Sequence, residues 1–348
     1  MFSPVIVLCI LMTGCTQIGV TETKKVEVIE TYNVDRAAAF PEQKPGTQPP
    51  VLTGVLKLTD EELKQGRINL FDGVSTYGWE EKPVILIAKG NVLFAQDDGL
   101  NVVKHWFPDI KFGSTLSGAN IGEGNGGTFE AEVKYAGGFV TLPLSDKFGY
   151  KEFRIYPTDT RLLGKDDWKP ASGKATSVWT NDGEVIELRG GSGMVESNDE
   201  FGDFVLQLEY MTETPVNSGV FFRCIRGEEM NGYECQIFNN PPDDQYKKYI
   251  GTDTGGLFRR QVGRNVGTQD NVWNYVTIAA SGNRFATWVN GIQVTDWTDK
   301  RPEDPNPRKG LRTAAGTIQL QGHDETTVIK FRNIRIAVAK DSGKETTE

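Results

Sequence analysis

The sequence predicts an all-β protein, built as a sandwich of packed antiparallel sheets with very little helix. Segments of alternating apolar and polar residues recur along the chain after Val51, and turns rich in Gly, Asn or Asp separate them. Glycine makes up 39 of the 348 residues and 10% are aromatic, a composition that favours turns and short strands. No segment shows the apolar heptads of a long helix, so strands must supply the core.

The overall composition argues against several functional classes. A formal net charge of -9 disfavours a nucleic-acid ligand, because phosphate backbones bind basic surfaces. Only two histidines, His105 and His323, are present, which excludes a metal centre built from several histidines. The Walker, GxGxxG, HExxH and GxSxG motifs do not occur, which disfavours nucleotide chemistry, zincin proteolysis and α/β-hydrolase chemistry. Beyond the N-terminus no apolar run reaches the length of a transmembrane helix, about 18 residues.

The N-terminus predicts export and a lipid anchor. An apolar run at 5–12 precedes Thr13-Gly14-Cys15, and small residues before a cysteine resemble the lipobox of bacterial lipoproteins. We therefore expect residues 1–15 to be a lipoprotein signal, with Cys15 lipidated and the protein anchored in the bacterial cell envelope, facing the periplasm or the surface. A methionine stands where Leu is usual and no Lys or Arg precedes the run, so an ordinary signal peptide or a buried apolar strand is the alternative.

Composition and a weak internal repeat divide the rest of the chain. We expect a disordered tether at 16–52, a β-rich unit at 53–158, a connection at 159–176, a sandwich domain at 177–340 and a flexible tail at 341–348. The segment 147–156 resembles 200–210, and each follows a glycine-rich stretch, which favours duplication with a degenerate first copy. Chance similarity between two aromatic strands is the alternative.

Local signals predict one helix and a series of strands. Thr59 and Glu62 form a capping box that begins a short helix, which Gly66 ends. The dipeptide Asn290-Gly291 predicts a type I′ hairpin. The predicted strands of the sandwich are 204–210, 219–224, 233–237, 273–278, 284–289, 292–294, 317–321, 327–331 and 334–338.

A second hairpin loop is predicted at 227–232, between Cys224 and Cys235. Pairing about the centre of this loop places the two cysteines opposite each other. A disulfide and two buried free thiols are both open, because the sequence does not determine the strand register.

That pairing would put polar side chains on one face of the hairpin. Arg223, Glu234 and Gln236 would share this face with Phe221. A cation, a carboxylate and an amide together suit a polyhydroxylated ligand. The alternative is a solvated outer face with a cross-strand ion pair.

The second group of candidate residues follows a later strand. Gln319, Gln321 and His323 have one parity, and Asp324 comes next. An imidazole beside a carboxylate can act as a general base with its orienting group. The alternative is a turn histidine whose neighbour Asp324 begins an Asx-turn. The loop 255–260 adds the cation Arg259, for which a solvated basic edge is the alternative.

Several short motifs together resemble the 3-keto-disaccharide hydrolase domain family. They are LTDEE (58–62), LFDG (70–73), GW (78–79), FGDF (201–204), NSGVFFR (217–223), GYECQI (232–237), WN (273–274), VNG (289–291) and FRNI (331–334). The resemblance is best over 177–338. It implies a concanavalin A-like jelly-roll sandwich, exported from bacteria and acting on oxidised sugars. The region 70–157 has no Asn-Ser-Gly segment of its own, so we expect no second site there.

The activity that the resemblance implies has clear chemical requirements. A ketone at C3 acidifies the proton on C2, a base removes it, and the C1 oxygen leaves by β-elimination, after which water adds. The site needs a base and a group that stabilises the enolate. We expect His323 or Glu234 as the base and Arg223 as the stabilising cation. The side chains expected to bind substrate are Asn217, Gln236, Gln321, Arg259 and Asp324.

Two questions are open at this point. Some enzymes that perform such eliminations use a divalent metal, but the spacing of residues does not establish a metal site. The same sandwich could also belong to a non-catalytic carbohydrate-binding surface lipoprotein, because a fold does not determine a function.

Overall fold

The computed structural model describes residues 45–80, 84–96, 101–120, 133–146 and 148–339. Over these residues the protein is almost entirely β-structure, and the predicted all-β class is confirmed. The expected signal 1–15 with Cys15, most of the expected tether and the tail 341–348 lie outside the described residues.

The helices of the described residues are short. They are α1 (Asp60–Lys64), α2 (Asp243–Lys248) and a 3₁₀-helix (Lys165–Asp167). The predicted capping box begins α1, because the Thr59 hydroxyl accepts from the Glu62 backbone N–H while the Glu62 carboxylate accepts from the Thr59 backbone N–H at 2.9 Å. None of these helices has the length and hydropathy needed to cross a membrane.

The strands form two groups along the chain. The N-terminal strands are β1 (Ile68–Phe71), β2 (Trp79–Glu80), β3 (Leu86–Lys89), β4 (Val92–Ala95), β5 (Asn101–Trp106), β6 (Phe112–Asn120), β7 (Lys134–Ala136), β8 (Phe139–Leu144) and β9 (Phe148–Pro157). The later strands are β10 (Arg161–Leu162), β11 (Trp168–Pro170), β12 (Val178–Asn181), β13 (Val185–Arg189), β14 (Gly193–Ser197), β15 (Phe204–Thr212), β16 (Ser218–Cys224), β17 (Tyr233–Ile237), β18 (Asn274–Ser281), β19 (Arg284–Val289), β20 (Ile292–Thr298), β21 (Thr317–Gly322) and β22 (Val328–Val338).

The later strands build a sandwich of two antiparallel sheets. The front sheet has the order β11-β14-β21-β16-β17, and the eight-stranded back sheet has the order β12-β13-β22-β15-β18-β19-β20 with β10 beside β22. Apolar side chains from both sheets fill the space between them, and the Phe204 and Phe222 rings meet edge to face with centroids 6.0 Å apart. The turn between β19 and β20 has positive φ at Asn290 (49°) and Gly291 (78°), which confirms the predicted hairpin.

The N-terminal strands form two further sheets against the outer face of the back sheet. One has the order β1-β9-β4-β3 with β6 on β9, and the other has the order β2-β5-β8-β7. Their core includes the back-sheet residues Val205, Ala279, Ala286, Trp288 and Ala337, all of them buried. The buried indole of Trp288 donates to the Asn69 carbonyl oxygen at 3.0 Å.

Two predicted boundaries are wrong. The segment 159–176, expected to be a connection, contributes β10 and β11 to the sandwich, where they pair with β22 and β14. Residues 45–52 of the expected tether lie against the domain, since the Leu52 backbone N–H donates to Asn265 O and the Asn265 amide donates to Pro49 O. Backbone hydrogen bonds hold both segments, and in 159–176 the side chains of Leu163 and Trp168 also pack into the core between the sheets.

Candidate functional site

The outer face of the front sheet carries polar side chains in two rows across its strands. The first row is Met194, Gln321, Gly219 and Gln236, and the second is Lys169, Glu196, Gln319, Phe221 and Glu234. Residues of the opposite parity, such as Val220 and Leu320, face the core between the sheets. The alternation of each strand therefore separates a polar outer surface from an apolar inner one.

The hairpin of β16 and β17 has a register different from the predicted one. Val220, rather than Cys224, lies opposite Cys235, and Cys224 pairs with Thr317 of β21. Both cysteines are buried free thiols, so the alternative without a disulfide holds. Cys235 faces the core between the sheets, whereas Cys224 packs beside Phe221.

The placement of Arg223 on the Glu234 face is wrong. The backbone of Arg223 has φ of 51°, and the pairing of β16 with β21 shifts between Phe221 and Cys224. This irregularity turns the Arg223 side chain inward, where it is fully buried, lies over the Phe285 ring and donates to Asp203 Oδ1 at 2.7 Å. Its remaining N–H groups donate to backbone carbonyl oxygens of Gly202, Gly282 and Arg312. Arg223 thus holds loops together at one edge of the sandwich.

Arg308 supplies the cation of the Glu234 face instead. Its guanidinium donates to Glu234 Oε2 at 2.8 Å and lies over the Phe221 ring, 5.0 Å from the centroid. Burial raises the pKa of the Glu234 carboxyl above its ordinary value, although Arg308, His323 and Arg259 each act to lower it. The sequence does not predict Arg308, because it lies in a loop 74 residues beyond Glu234.

His323 and Asp324 lie together at the end of β21. Their side chains meet with Nδ1 and Oδ2 2.7 Å apart, and Asp324 also accepts from the Thr326 backbone N–H at 2.8 Å. The dyad and the Asx-turn, predicted as alternatives, are therefore both present. Burial acts to raise the pKa of Asp324, but the hydrogen bonds from Thr326 and His323 outweigh it and hold this pKa below its usual range. A carboxylate at Nδ1 leaves Nε2 of the neutral imidazole as a proton acceptor.

Two amides connect His323 to Glu234. His323 Nε2 lies 3.0 Å from Asn217 Nδ2, and Asn217 Oδ1 lies 3.0 Å from Gln236 Nε2. The other terminal atom of the Gln236 amide faces Glu234 Oε1 at 2.8 Å. Asp324, His323, Asn217, Gln236 and Glu234 thus form one continuous chain of contacts.

This series of contacts runs from a solvent-exposed end at His323 to a buried end at Glu234. The His323 side chain is 40% exposed, whereas Glu234 and Gln236 are buried. Gly219 belongs to the first row, and a Cβ at this position would come within 3.0 Å of Glu234 Oε1 and 3.2 Å of Phe221 Cε2. The Glu234 and Phe221 side chains therefore lie against the backbone of this glycine.

The two remaining predicted residues border this chain. Gln321 is buried in the first row, and its Oε1 has no hydrogen-bond partner among the described residues. Arg259 is exposed and lies over the Tyr249 and Phe258 rings, on the loop whose Phe258 backbone N–H donates to Glu234 O. The structure therefore brings together all the predicted site residues of the folded part except Arg223.

Within the part of the chain that the structure describes, no group of three or more His, Cys, Asp or Glu side chains is arranged to hold a metal ion. The polar groups of the site are three amides, one imidazole and two carboxylates, which can form hydrogen bonds with sugar hydroxyl groups.

The comparison with known families covers the residues of the sandwich. The sequence model described as the 3-keto-alpha-glucoside-1,2-lyase-like domain matches residues 160–337. The chain belongs to this family. Its match begins at 160 rather than 177, in agreement with the two strands of the sandwich that precede Ser177. Membership of the family supports a carbohydrate-active role.

Solved structures similar to this chain come from several organisms. A putative glycosyl hydrolase from Parabacteroides distasonis is 26% identical, with 49% of this chain and 98% of that chain covered and a TM-score of 0.40. A second putative glycosyl hydrolase from the same organism is 15% identical, covering 50% and 89%, with a TM-score of 0.42. The carbohydrate-binding module CBM66 from Bacillus subtilis is 17% identical, covering 49% and 94%, with a TM-score of 0.34. Among curated proteins the comparison found no match.

Proposed function

We propose that this protein is an enzyme that cleaves 3-keto-glycosides by removing the proton on C2 and eliminating the C1 substituent. One observation carries the proposal, which is an imidazole held between a carboxylate and an amide at the open end of the polar face, in a chain of this family. Asp324 fixes the tautomer in which His323 Nε2 is unprotonated. Because that nitrogen is at the exposed end, it can reach the C2 proton of a bound sugar.

The other groups of the face have complementary roles in this proposal. Removal of the C2 proton leaves negative charge on the C3 oxygen, and the guanidinium of Arg308 is the cation that we assign to it in place of Arg223. Glu234, whose pKa burial raises, is a carboxyl group suited to protonate the departing C1 oxygen. Asn217 and Gln321 supply amides for sugar hydroxyls. Addition of water to the resulting C1–C2 double bond would complete a net hydrolysis.

The first experiment measures release of the aglycone from an aryl 3-keto-glucoside by the purified protein. We expect turnover, and we expect His323→Gln and Asp324→Asn to lower kcat by about a hundredfold or more while the melting temperature holds. Glu325→Gln is the matched control, because this exposed carboxylate is the next residue along the same turn.

Failure of this assay would favour the second candidate function. A polar sheet face of amides with a neighbouring aromatic ring is also suited to binding sugars without cleaving them. If the protein binds 3-keto-glucosides or their parent sugars but releases no aglycone, the carbohydrate-binding alternative replaces the enzyme.

We also propose that the protein is exported and anchored in the cell envelope through a lipid on Cys15, a residue outside the described ones. The support is the sequence alone, in which an apolar run precedes Thr13-Gly14-Cys15. Cys15→Ser should move the protein from the membrane fraction to the soluble exported fraction. Unchanged association with the membrane would contradict the anchor.

A further inference from the structure

The amides of Asn217 and Gln236 join the two titratable ends of the site. We propose that this pair of amides couples the protonation of His323 to that of Glu234, so that one end gains a proton when the other end loses one. Asn217 and Gln236 are then positioning residues that act through their hydrogen bonds.

In the first arrangement, both amides donate toward the histidine. Gln236 Nε2 donates to Asn217 Oδ1 at 3.0 Å, and Asn217 Nδ2 donates to His323 Nε2 at 3.0 Å, which must be unprotonated to accept. Gln236 Oε1 then faces Glu234 Oε1 at 2.8 Å and the Ser218 carbonyl oxygen at 3.2 Å. The contact of 2.8 Å requires a proton between the two oxygens, and only the Glu234 carboxyl can carry it, whereas the contact of 3.2 Å with Ser218 O has no proton and acts against this arrangement. This arrangement holds neutral His323 and protonated Glu234.

In the second arrangement, both amides are rotated by 180°. Gln236 Nε2 now donates to Glu234 Oε1 at 2.8 Å and to Ser218 O at 3.2 Å, so Glu234 is a carboxylate. The Gln236 oxygen lies 3.0 Å from the Asn217 side chain, which must also rotate to donate to it. Asn217 Oδ1 then faces His323 Nε2, which must carry a proton.

The contact with Asp324 makes the coupling strict. Asp324 Oδ2 lies 2.7 Å from His323 Nδ1, so this nitrogen keeps its proton in both arrangements. A proton on Nε2 therefore makes the ring an imidazolium, since the other neutral tautomer would set two acceptors against each other. The two arrangements hold the same number of protons and differ only in which end carries the movable one.

The groups around Glu234 act in opposite directions on its protonation. Burial of Glu234 favours the protonated carboxyl, whereas Arg308, at 2.8 Å, and the more exposed Arg259 favour the carboxylate. At the other end Asp324 Oδ2 lies 2.7 Å from His323 Nδ1, and the His323 side chain is 40% exposed. Opposed influences of this kind allow a change of substrate or pH to shift the equilibrium.

The use of this coupling in catalysis rests on the proposed function. In the first arrangement His323 Nε2 takes the proton from C2, and the electron pair of the C2–H bond forms the C2–C3 double bond of an enolate while the π pair of the ketone moves onto the C3 oxygen. When the ketone re-forms, the electron pair of the C2–C3 double bond forms the C1–C2 double bond. The C1–O bond breaks with its electron pair on the departing oxygen, which takes the proton from Glu234. The products are the imidazolium and the carboxylate of the second arrangement, so rotation of the two amides matches the site to its new charges.

The test measures the pKa of His323 by nitrogen NMR of the imidazole rings in the full chain. With only two histidines, the spectrum is simple, and buried His105, whose pKa lies at about 4, serves as an internal reference. Four proteins are compared, namely the parent, Glu234→Gln, Gln236→Met and the double variant. Where Gln236 is intact, we expect Glu234→Gln to lower the pKa of His323 by about one unit relative to the parent, a tenfold change in the acid dissociation constant. With Gln236→Met we expect less than a third of that shift.

A simple Coulomb effect of Glu234 predicts a different result. Charge acts through space, so its removal would shift the pKa of His323 equally in both backgrounds, and that outcome would overturn the coupling. If Gln236→Met does not fold by circular dichroism, Asn217→Leu interrupts the same chain at the half-exposed amide and replaces it in the cycle. The measurement needs no substrate, so the coupling and the proposed activity stand or fall separately.

Discussion

The outer faces of the two sandwich sheets differ in their side chains and in what covers them. The back sheet presents Val205, Ala279, Ala286, Trp288 and Ala337 outward, and the N-terminal sheets bury them all. The front sheet presents amides and carboxylates outward, and loops, including the one that carries Arg308, border them. Both sheets alternate with the same period of two residues.

The polar groups on the two faces reveal the difference more clearly. On the back sheet, Gln207 donates to the Gly66 carbonyl oxygen at 2.7 Å, and Gln293 Oε1 lies 3.1 Å from His105 Nε2, so the N-terminal layer satisfies them. On the front sheet the polar groups bond mainly to one another, and Gln321 Oε1 is left without a partner among the described residues. Apolar side chains allow a second protein layer to pack on the back sheet, whereas a connected set of amides and carboxyl groups on the front sheet suits a ligand.

The largest effect expected is on the covered face. Trp288→Ala should lower the free energy of unfolding by about 4 kcal/mol, because it removes a fully buried indole together with its hydrogen bond to Asn69. Urea denaturation measures the loss. Trp273→Ala is the control, since this partly exposed ring lies under Arg332 at 3.9 Å outside the packed layers. Equal losses for the two variants would mean that the N-terminal sheets do not pack as described.

A slightly smaller loss should follow from Arg223→Ala. This substitution leaves Asp203 without its cation and three backbone carbonyl oxygens without a donor, which typically costs about 3 kcal/mol. We therefore expect a lower melting temperature with kcat per folded molecule retained, in contrast to Arg308→Gln, which should lower kcat per folded molecule in addition to any loss of stability from the unpaired, buried Glu234. If Arg223→Ala lowers kcat per folded molecule and Arg308→Gln does not, the stabilising cation of the site is Arg223 and not Arg308.

The contact between the N-terminal layer and the back sheet also predicts a pH dependence. Burial lowers the pKa of His105 from 6.5 to about 4, whereas the unfolded chain binds this proton below about pH 6.5. Between these values the unfolded state holds more protons, so stability falls as the pH drops from 6.5 to 4, by about 3 kcal/mol in total. His105→Gln should remove this part of the pH dependence, which thermal unfolding at several pH values measures. An unchanged slope would mean that the His105 ring is charged or exposed in the folded protein.

The sequence predicts the fold well because its signals are local. The capping box at Thr59, the Asn290-Gly291 turn and the alternation of each strand act within a few residues, and the structure contains all of them. The register of the hairpin around Cys224 could not be predicted, because the irregularity at Arg223 depends on partners in three distant loops. Alternation places every residue beyond such an irregularity on the wrong face.

The residues of the candidate site were predictable where they lie on one strand, and not where a loop brings them in. Gln321 and His323 share a parity along one strand, and Glu234 and Gln236 share one along another, so strand alternation alone groups each pair. Arg308 has no such signal, because a loop brings it to Glu234 from 74 positions away. The close approach of Glu234 to Gly219 is also invisible in sequence, since a glycine in a strand has several explanations.

The last and smallest effect is expected for Gly219→Ala. The backbone of Gly219 does not have positive φ, so alanine is tolerated there, and the folded state should lose no more than about 1 kcal/mol. The new Cβ would lie 3.0 Å from Glu234 Oε1 and 3.2 Å from Phe221 Cε2, so the carboxyl must move by a few tenths of an ångström. We expect kcat/KM for a 3-keto-glucoside to fall about tenfold, equivalent to about 1.4 kcal/mol. Gly173→Ala is the matched control, with nothing within 4 Å of its new Cβ. If both variants keep the parental kcat/KM, the sugar does not lie over this row, and the open end around His323 alone must hold it.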